Sequence, residues 1–180
     1  MTALLSTYTA LAGKLDRADW VLPTVARFLF AAILMVYFLN SGLTKLGEGV
    51  SGLWTPSVGA YAQIFPRVLE AAGYDTDALS FFHKIVVLAG TWAEFALPVM
   101  IVLGLLTRLA AVGMIGFVVV QSLTDIYGHS ATDAIGGWFD RFPDAIIMDQ
   151  RALWIFLLLV LVIKGAGPLS FDRAFAPKAG

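Results

Sequence analysis

The sequence predicts an all-α integral membrane protein: a four-helix bundle with cytoplasmic N- and C-termini, an amphipathic N-terminal surface helix and two capping outer loops. Three observations carry this reading. The 180 residues are 59% hydrophobic and only 14% charged, with a mean hydropathy of +0.81, more apolar than a soluble domain of this size requires. Four apolar segments have the length, or the flanking charges, of bilayer spans. Glu94 is the only charge in the apolar run Ile85–Leu106, and an ionisable group inside a span is costly enough to mark a functional position or a paired one.

The spans read as residues 21–43, 85–106, 108–126 and 151–165 of a single membrane domain covering residues 1–180. Leu106-Thr107-Arg108 is all that separates the second span from the third, which forces a tight helical hairpin. The fourth is short: its apolar stretch runs from Ala152 to Ile163, and Arg151 and Lys164 at its ends have stems long enough to reach opposite interfaces. With the termini and the Thr107 turn on one side, that side carries Lys14, Arg17, Arg27, Arg108, Lys164, Arg173 and Lys178. The other carries Lys45, Arg67, Lys84, Arg141 and Arg151. The excess of positive charge places the termini inside.

Ahead of the first span, Leu4, Leu5, Tyr8, Leu11, Ala12 and Leu15 recur at helical spacing, so residues 1–20 are expected to lie on the membrane surface. Met1–Leu15 lacks the basic start of a secretory signal. Residues 46–84 and 127–150 form the outer loops. Their aromatics, Trp54, Tyr61, Phe65, Tyr74, Trp138, Phe139 and Phe142 among them, suit an interfacial position. Ser57–Ala72 reads as a short helix broken by Pro66.

The first and third spans resemble each other. Arg27 leads to Asn40-Ser41-Gly42-Leu43-Thr44-Lys45, and Arg108 leads to Gln121-Ser122-Leu123-Thr124-Asp125. Such internal repeats commonly hold a site between them. With about 1.5 Å per helical residue, Asn40, Thr91, Glu94, Gln121, Thr124 and Asp125 fall on one polar stripe in the outer half of the bundle. Glu94 and Asp125 are the candidates for proton handling. Asn40, Lys45, Thr91, Gln121 and His129 are the candidate ligand-binding residues. The structural alternative makes ion pairs of the same charges, Arg27 with Glu94 and Lys45 with Asp125.

Other chemistries find no support. There is no cysteine, and two histidines, His83 and His129, do not make a closed metal site. A net charge of −1 without a basic run argues against nucleic acid as a partner. No phosphate-binding glycine loop or nucleophile motif appears.

Read together, Arg27 with Asn40-Ser41-Gly42-Leu43-Thr44-Lys45, Glu94 with Pro98, Gly104-Leu105-Leu106-Thr107-Arg108-Leu109-Ala110-Ala111 and Gly165-Ala166-Gly167-Pro168-Leu169-Ser170-Phe171-Asp172 resemble the DoxX family. The resemblance extends from about Ala26 to Arg173. It implies a multi-pass protein of the bacterial inner membrane, similar to the DoxD-type subunit of thiosulfate:quinone oxidoreductase, with a redox partner protein, quinone as the implied ligand and no covalent cofactor. Three functions remain open at this point: a quinone-linked redox subunit, a non-catalytic anchor or assembly factor, and a transporter of a small solute, protons or metal ions. Each is compatible with a homo-oligomer in the bilayer.

Overall fold

A computed structural model describes residues 2–176; Lys178, counted above for orientation, lies outside them. Among the described residues the chain is helical, with one isolated bridge between Ile135 and Ile147. In order come α1 (Thr2–Asp16), α2 (Val21–Lys45), α3 (Val58–Ile64), α4 (Pro66–Ala71), α5 (Phe81–Leu103), α6 (Thr107–Gly128), α7 (Gln150–Lys164) and α8 (Phe171–Phe175). Three of these, α2, α5 and α6, are long and apolar enough to cross a bilayer. Helix α7, which packs with these three, has 15 residues, about 22 Å at 1.5 Å per residue.

These four helices pack in a ring in which α2 and α6 each touch both α5 and α7. Sequence period explains the packing. On α2 the buried positions are Pro23, Ala26, Phe30, Leu34, Phe38, Gly42 and Lys45, three or four apart, and on α5 they are Val87, Thr91, Glu94, Pro98 and Ile101. Each helix therefore turns one stripe inward. The opposite faces stay apolar and exposed (Phe28, Ile33 and Val36 on α2, Leu109, Val112 and Val119 on α6, Leu153 and Phe156 on α7), as contact with lipid demands.

Aromatic rings fill the bundle centre. Phe38 is fully buried, and its ring meets Phe117 at 5.9 Å and Trp154 at 6.3 Å. Gly42 lets α5 approach: a Cβ there would stand 2.7 Å from the Phe95 ring. Both α2 and α6 contain a wider π turn, at Phe30–Met35 and Thr124–Gly128, an irregularity often found near sites. Helix α5 runs on through Pro98.

On the side of the termini, the turn between α5 and α6 is tight. Gly104 takes φ +69°, and a Cβ on it would meet Ser170 at 2.5 Å. Leu106 precedes α6 at φ +46° and offers no capping oxygen. The cap comes instead from Asp172, whose carboxylate accepts from the backbone N–H of Leu106 (2.6 Å) and of Thr107 (2.9 Å). Partial burial opposes ionisation of Asp172, but the Thr107 and Leu106 hydrogen bonds and the Arg27 charge outweigh it and hold the carboxyl below its usual range. Asp172→Asn, whose one amide oxygen can accept from only one of these two N–H groups, is therefore expected to cost about 1 kcal/mol at neutral pH. Because the folded-state value is the depressed one, this contribution is complete above the usual carboxylate range and is lost as pH falls through the folded value. Thermal unfolding of both proteins over an acid pH series should show the two curves converging.

On the opposite side, α3 and α4 are separated at Phe65-Pro66, and Pro66 opens α4 where its missing N–H costs nothing. They cover the loop-side ends of α5 and α6. Helix α1 exposes Leu4, Tyr8, Leu11 and Leu15.

Candidate functional site

The deepest charges on the loop side are Lys45 and Glu94. Lys45 stands one turn beyond Ser41 on α2, and Glu94 faces it from α5. Lys45 Nζ donates to Glu94 Oε1 at 3.0 Å, to Oε2 at 2.9 Å and to Ser41 Oγ at 2.8 Å. The Ser41 hydroxyl in turn donates to Glu94 Oε1 at 3.0 Å. Lys45 is 4% exposed and Glu94 3%. A salt bridge this deep persists only when its remaining polar atoms are satisfied, and Ser41 completes that set.

A second pair stands across the bundle. Arg151 at the start of α7 donates to Asp125 Oδ2 at 2.6 Å and to Ser122 Oγ at 3.0 Å. The two clusters are counterparts. Each has a serine and a charge one turn or less beyond it on the first helix of its half, and the opposite charge on the second, with the signs reversed. The terminal side repeats the pattern. Arg27 donates to the carbonyls of Ile101 and Val102 at the end of α5, and Arg108 donates to that of Val162 near the end of α7, at 2.9 Å.

The expected pairing is thereby corrected. Arg27 does not reach Glu94: its guanidinium is occupied by Ile101, Val102, Ala166 and Leu169 carbonyls. Lys45 does not meet Asp125, because α2 and α6 lie diagonally opposite and each charge takes a partner from an adjacent helix. Arg151, expected to extend toward an interface, is 4% exposed and turned inward.

A cavity of about 460 Å³ opens from the first cluster. Ser41, Lys45 and Glu94 stand at its back, Ala89, Gly90 and Ala93 on α5 and Gly113, Gly116 and Val120 on α6 form its walls, and Gln63, Ile64 and His129 roof it. Of the proposed ligand residues, Lys45, Gln121 and His129 line it, as do Glu94 and Asp125. Gln121 donates through Nε2 to the Tyr37 hydroxyl at 2.8 Å, and its Oε1 is shielded from solvent without a hydrogen-bond partner. Turning the amide over would orphan the other end instead. His129 Nε2 lies 2.9 Å from the Gln63 carbonyl, which fixes that nitrogen as the donor. Thr91 and Asn40 stand apart: the Thr91 hydroxyl is bound to the Val87 carbonyl at 2.8 Å, and Asn40 is exposed on α2.

Ser41, Tyr37 and Gln63 were not singled out from the sequence. The signal for Ser41 was its place one turn before Lys45, beside Gly42. Among the described residues, no three His, Cys, Asp or Glu side chains gather as metal ligands; His83 instead bonds Ser80 Oγ at 2.8 Å and packs edge-on against Phe65.

Long helices with apolar, exposed outer faces, packed around buried ion pairs and a mainly apolar cavity, define a multi-pass membrane protein. The DoxX family model matches residues 22–124, more than half of the chain, and the chain belongs to the DoxX family. That match includes Arg27, Ser41, Lys45, Glu94 and Gln121 and ends one residue before Asp125. No curated protein and no solved structure matches the chain.

Proposed function

We propose that this DoxX-family protein is a membrane subunit of a redox assembly in the bacterial inner membrane, binding a quinone-class carrier in its cavity and taking electrons from a partner protein. In this reading α7 spans the bilayer as the fourth helix, with both termini in the cytoplasm. The observation that carries the proposal is a donor and an acceptor, Lys45 and Glu94, buried together at the back of a mainly apolar cavity.

The residues present suit such a ligand. Cavities of this size with a few convergent polar groups are typical small-molecule sites. The unpartnered amide end of Gln121 supplies one further polar contact. A bound quinone would supply a two-electron, two-proton couple. By exchanging one of its present contacts to Ser41 or Glu94, Lys45 offers an N–H donor to a carbonyl oxygen, and Glu94 offers an acceptor to a hydroxyl, so the pair complements either redox form. In this reading Asp125, which lines the cavity, pairs with Arg151 and keeps its side chain 31% exposed, passes protons between Glu94's surroundings and water.

The anchor alternative rests on a different feature: Ser41, Lys45 and Glu94 satisfy one another without any ligand, as a group that only specifies helix packing would. Glu94→Gln separates the two. In the native complex it is expected to lower quinone turnover by at least about 100-fold, in the range of lost acid–base catalysis, while the helical fold is retained. Full activity in that variant would remove Glu94 as a proton carrier and favour the anchor.

A further inference from the structure

We propose that the cavity is loaded sideways from the bilayer, through the slot between α5 and α6, and that its ligand is an amphiphile whose hydrocarbon tail stays in that slot. This deepens the reading above and rests on it for the identity of the head group.

The distribution of exposure around the cavity is the first reason. The charges at its back are sealed, Lys45 at 4% and Glu94 at 3%, whereas the exposed lining contributed by α5 and α6 is apolar: Ile85 at 48%, Val120 at 60%, and Ala89, Gly113 and Gly116 between them; the exposed polar lining, Gln63 and His129, belongs to the roof. Water has no cause to enter along such an edge, and lipid has none to avoid it.

Depth is the second reason. Gly116 lies nine residues beyond Thr107 and Glu94 ten residues before Gly104, so both stand about 14 Å above the α5–α6 turn at 1.5 Å per residue. In a hydrocarbon layer of about 30 Å the mouth therefore begins near the midplane, at the level of the ion pair, and by the same count of about 1.5 Å per residue runs up past Val120 and Ala89, still within hydrocarbon, to Ile85 at the loop-side edge of the layer.

The third reason is the closure of the other end. His129 is tied to the Gln63 carbonyl at 2.9 Å, Arg67 to Ser130 Oγ at 3.2 Å, and Gly128 lies so close to Pro66 that a Cβ would stand 3.0 Å from its ring. These contacts hold α3 and α4 down over the loop-side end of the cavity. On the lipid side the slot is narrow at Gly113, where a Cβ would stand 3.1 Å from Leu97, and open at Gly116, where a Cβ would meet no atom within 4 Å.

The cysteine-free sequence makes the test direct. Nitroxide labels are placed on Gly116→Cys and, separately, on Ala89→Cys across the slot, with Gly137→Cys in the loop as the water-exposed control, all in lipid nanodiscs. Collisions with oxygen, which concentrates in hydrocarbon, are compared with collisions with a water-soluble nickel chelate. Both slot labels are expected to favour oxygen several-fold, and the control to favour nickel. A benzoquinone carrying a decyl chain is then expected to cut oxygen collisions at Gly116→Cys by half or more, and the same ring without a chain to leave them unchanged. Nickel dominance at the slot labels would overturn lateral entry whatever the cavity binds. Equal protection by the chainless ring would overturn the tail in the slot. Oxygen dominance with no protection by either quinone would support the lateral opening and overturn the quinone reading alone. Two slot sites on different helices keep the result readable if one variant folds poorly.

Discussion

Lys45→Met is expected to destabilise the folded protein by about 3–5 kcal/mol, and Lys45→Met combined with Glu94→Leu by far less. Removing one member of a buried pair leaves the other charge uncompensated, which is the source of a loss of that size. Here the remaining Glu94 carboxylate would keep only the Ser41 hydroxyl at 3.0 Å. The double variant removes both charges and retains apolar volume, and such exchanges are often neutral or stabilising. Unfolding of the two variants in mixed micelles, followed by loss of helix with rising denaturing detergent, measures the difference. A double variant as weak as the single one would show that the polar cluster contributes more than its charges to holding α2 against α5. A stable double variant without activity in the native complex would place the pair in function.

Arg27→Leu should be similarly severe. The Arg27 fork donates to four carbonyls on two segments: Ile101 and Val102 at the end of α5, and Ala166 and Leu169 beyond α7. Helix-end carbonyls lack partners within their own helix, and each buried acceptor left unpaired costs about 1–3 kcal/mol. Even partial rearrangement leaves an expected loss of at least about 3 kcal/mol. Arg27→Lys should recover only a fraction, since an ammonium cannot span two helix ends as a planar guanidinium does. The same unfolding measurement, with protease cleavage after residue 165 as a second readout, tests both substitutions. Wild-type resistance in Arg27→Lys would mean that charge near the α5 end matters more than the fork.

The helices were legible in the sequence because apolar length is a strong signal, and Glu94 stood out for the same reason, as the one charge in its span. The break at Pro66 and the tight turn before Thr107 follow from local chemistry. What the sequence did not disclose was rotation and neighbourhood. Depth along a helix can be counted, but Lys45 and Asp125 at matching depths prove to be diagonal, so their pairing could not be inferred from level alone. Asn40 and Ser41 differ by one helical step, about 100° around the axis. That step places Ser41 against the ion pair and leaves Asn40 outside. Arg151 looked like the end of a span because its inward partner, Asp125, is supplied by another helix. The α6 cap was equally hidden: nothing local to Leu106 points to Asp172.

That cap has a consequence in time. A chain entering the membrane from its N-terminus delivers Arg27 and the α5–α6 turn long before residues 166–172 have been synthesised. Until that late segment arrives, the Arg27 guanidinium lacks two of its four acceptors and the first amides of α6 lack their carboxylate. The terminal side of the bundle is therefore incompletely tied during translation, while Lys45 and Glu94 can already join α2 to α5, and the last stretch to emerge closes the assembly. A ribosome halted just short of Ala166 would display an inserted but unlocked intermediate, still open to the proteases that survey unfinished membrane proteins.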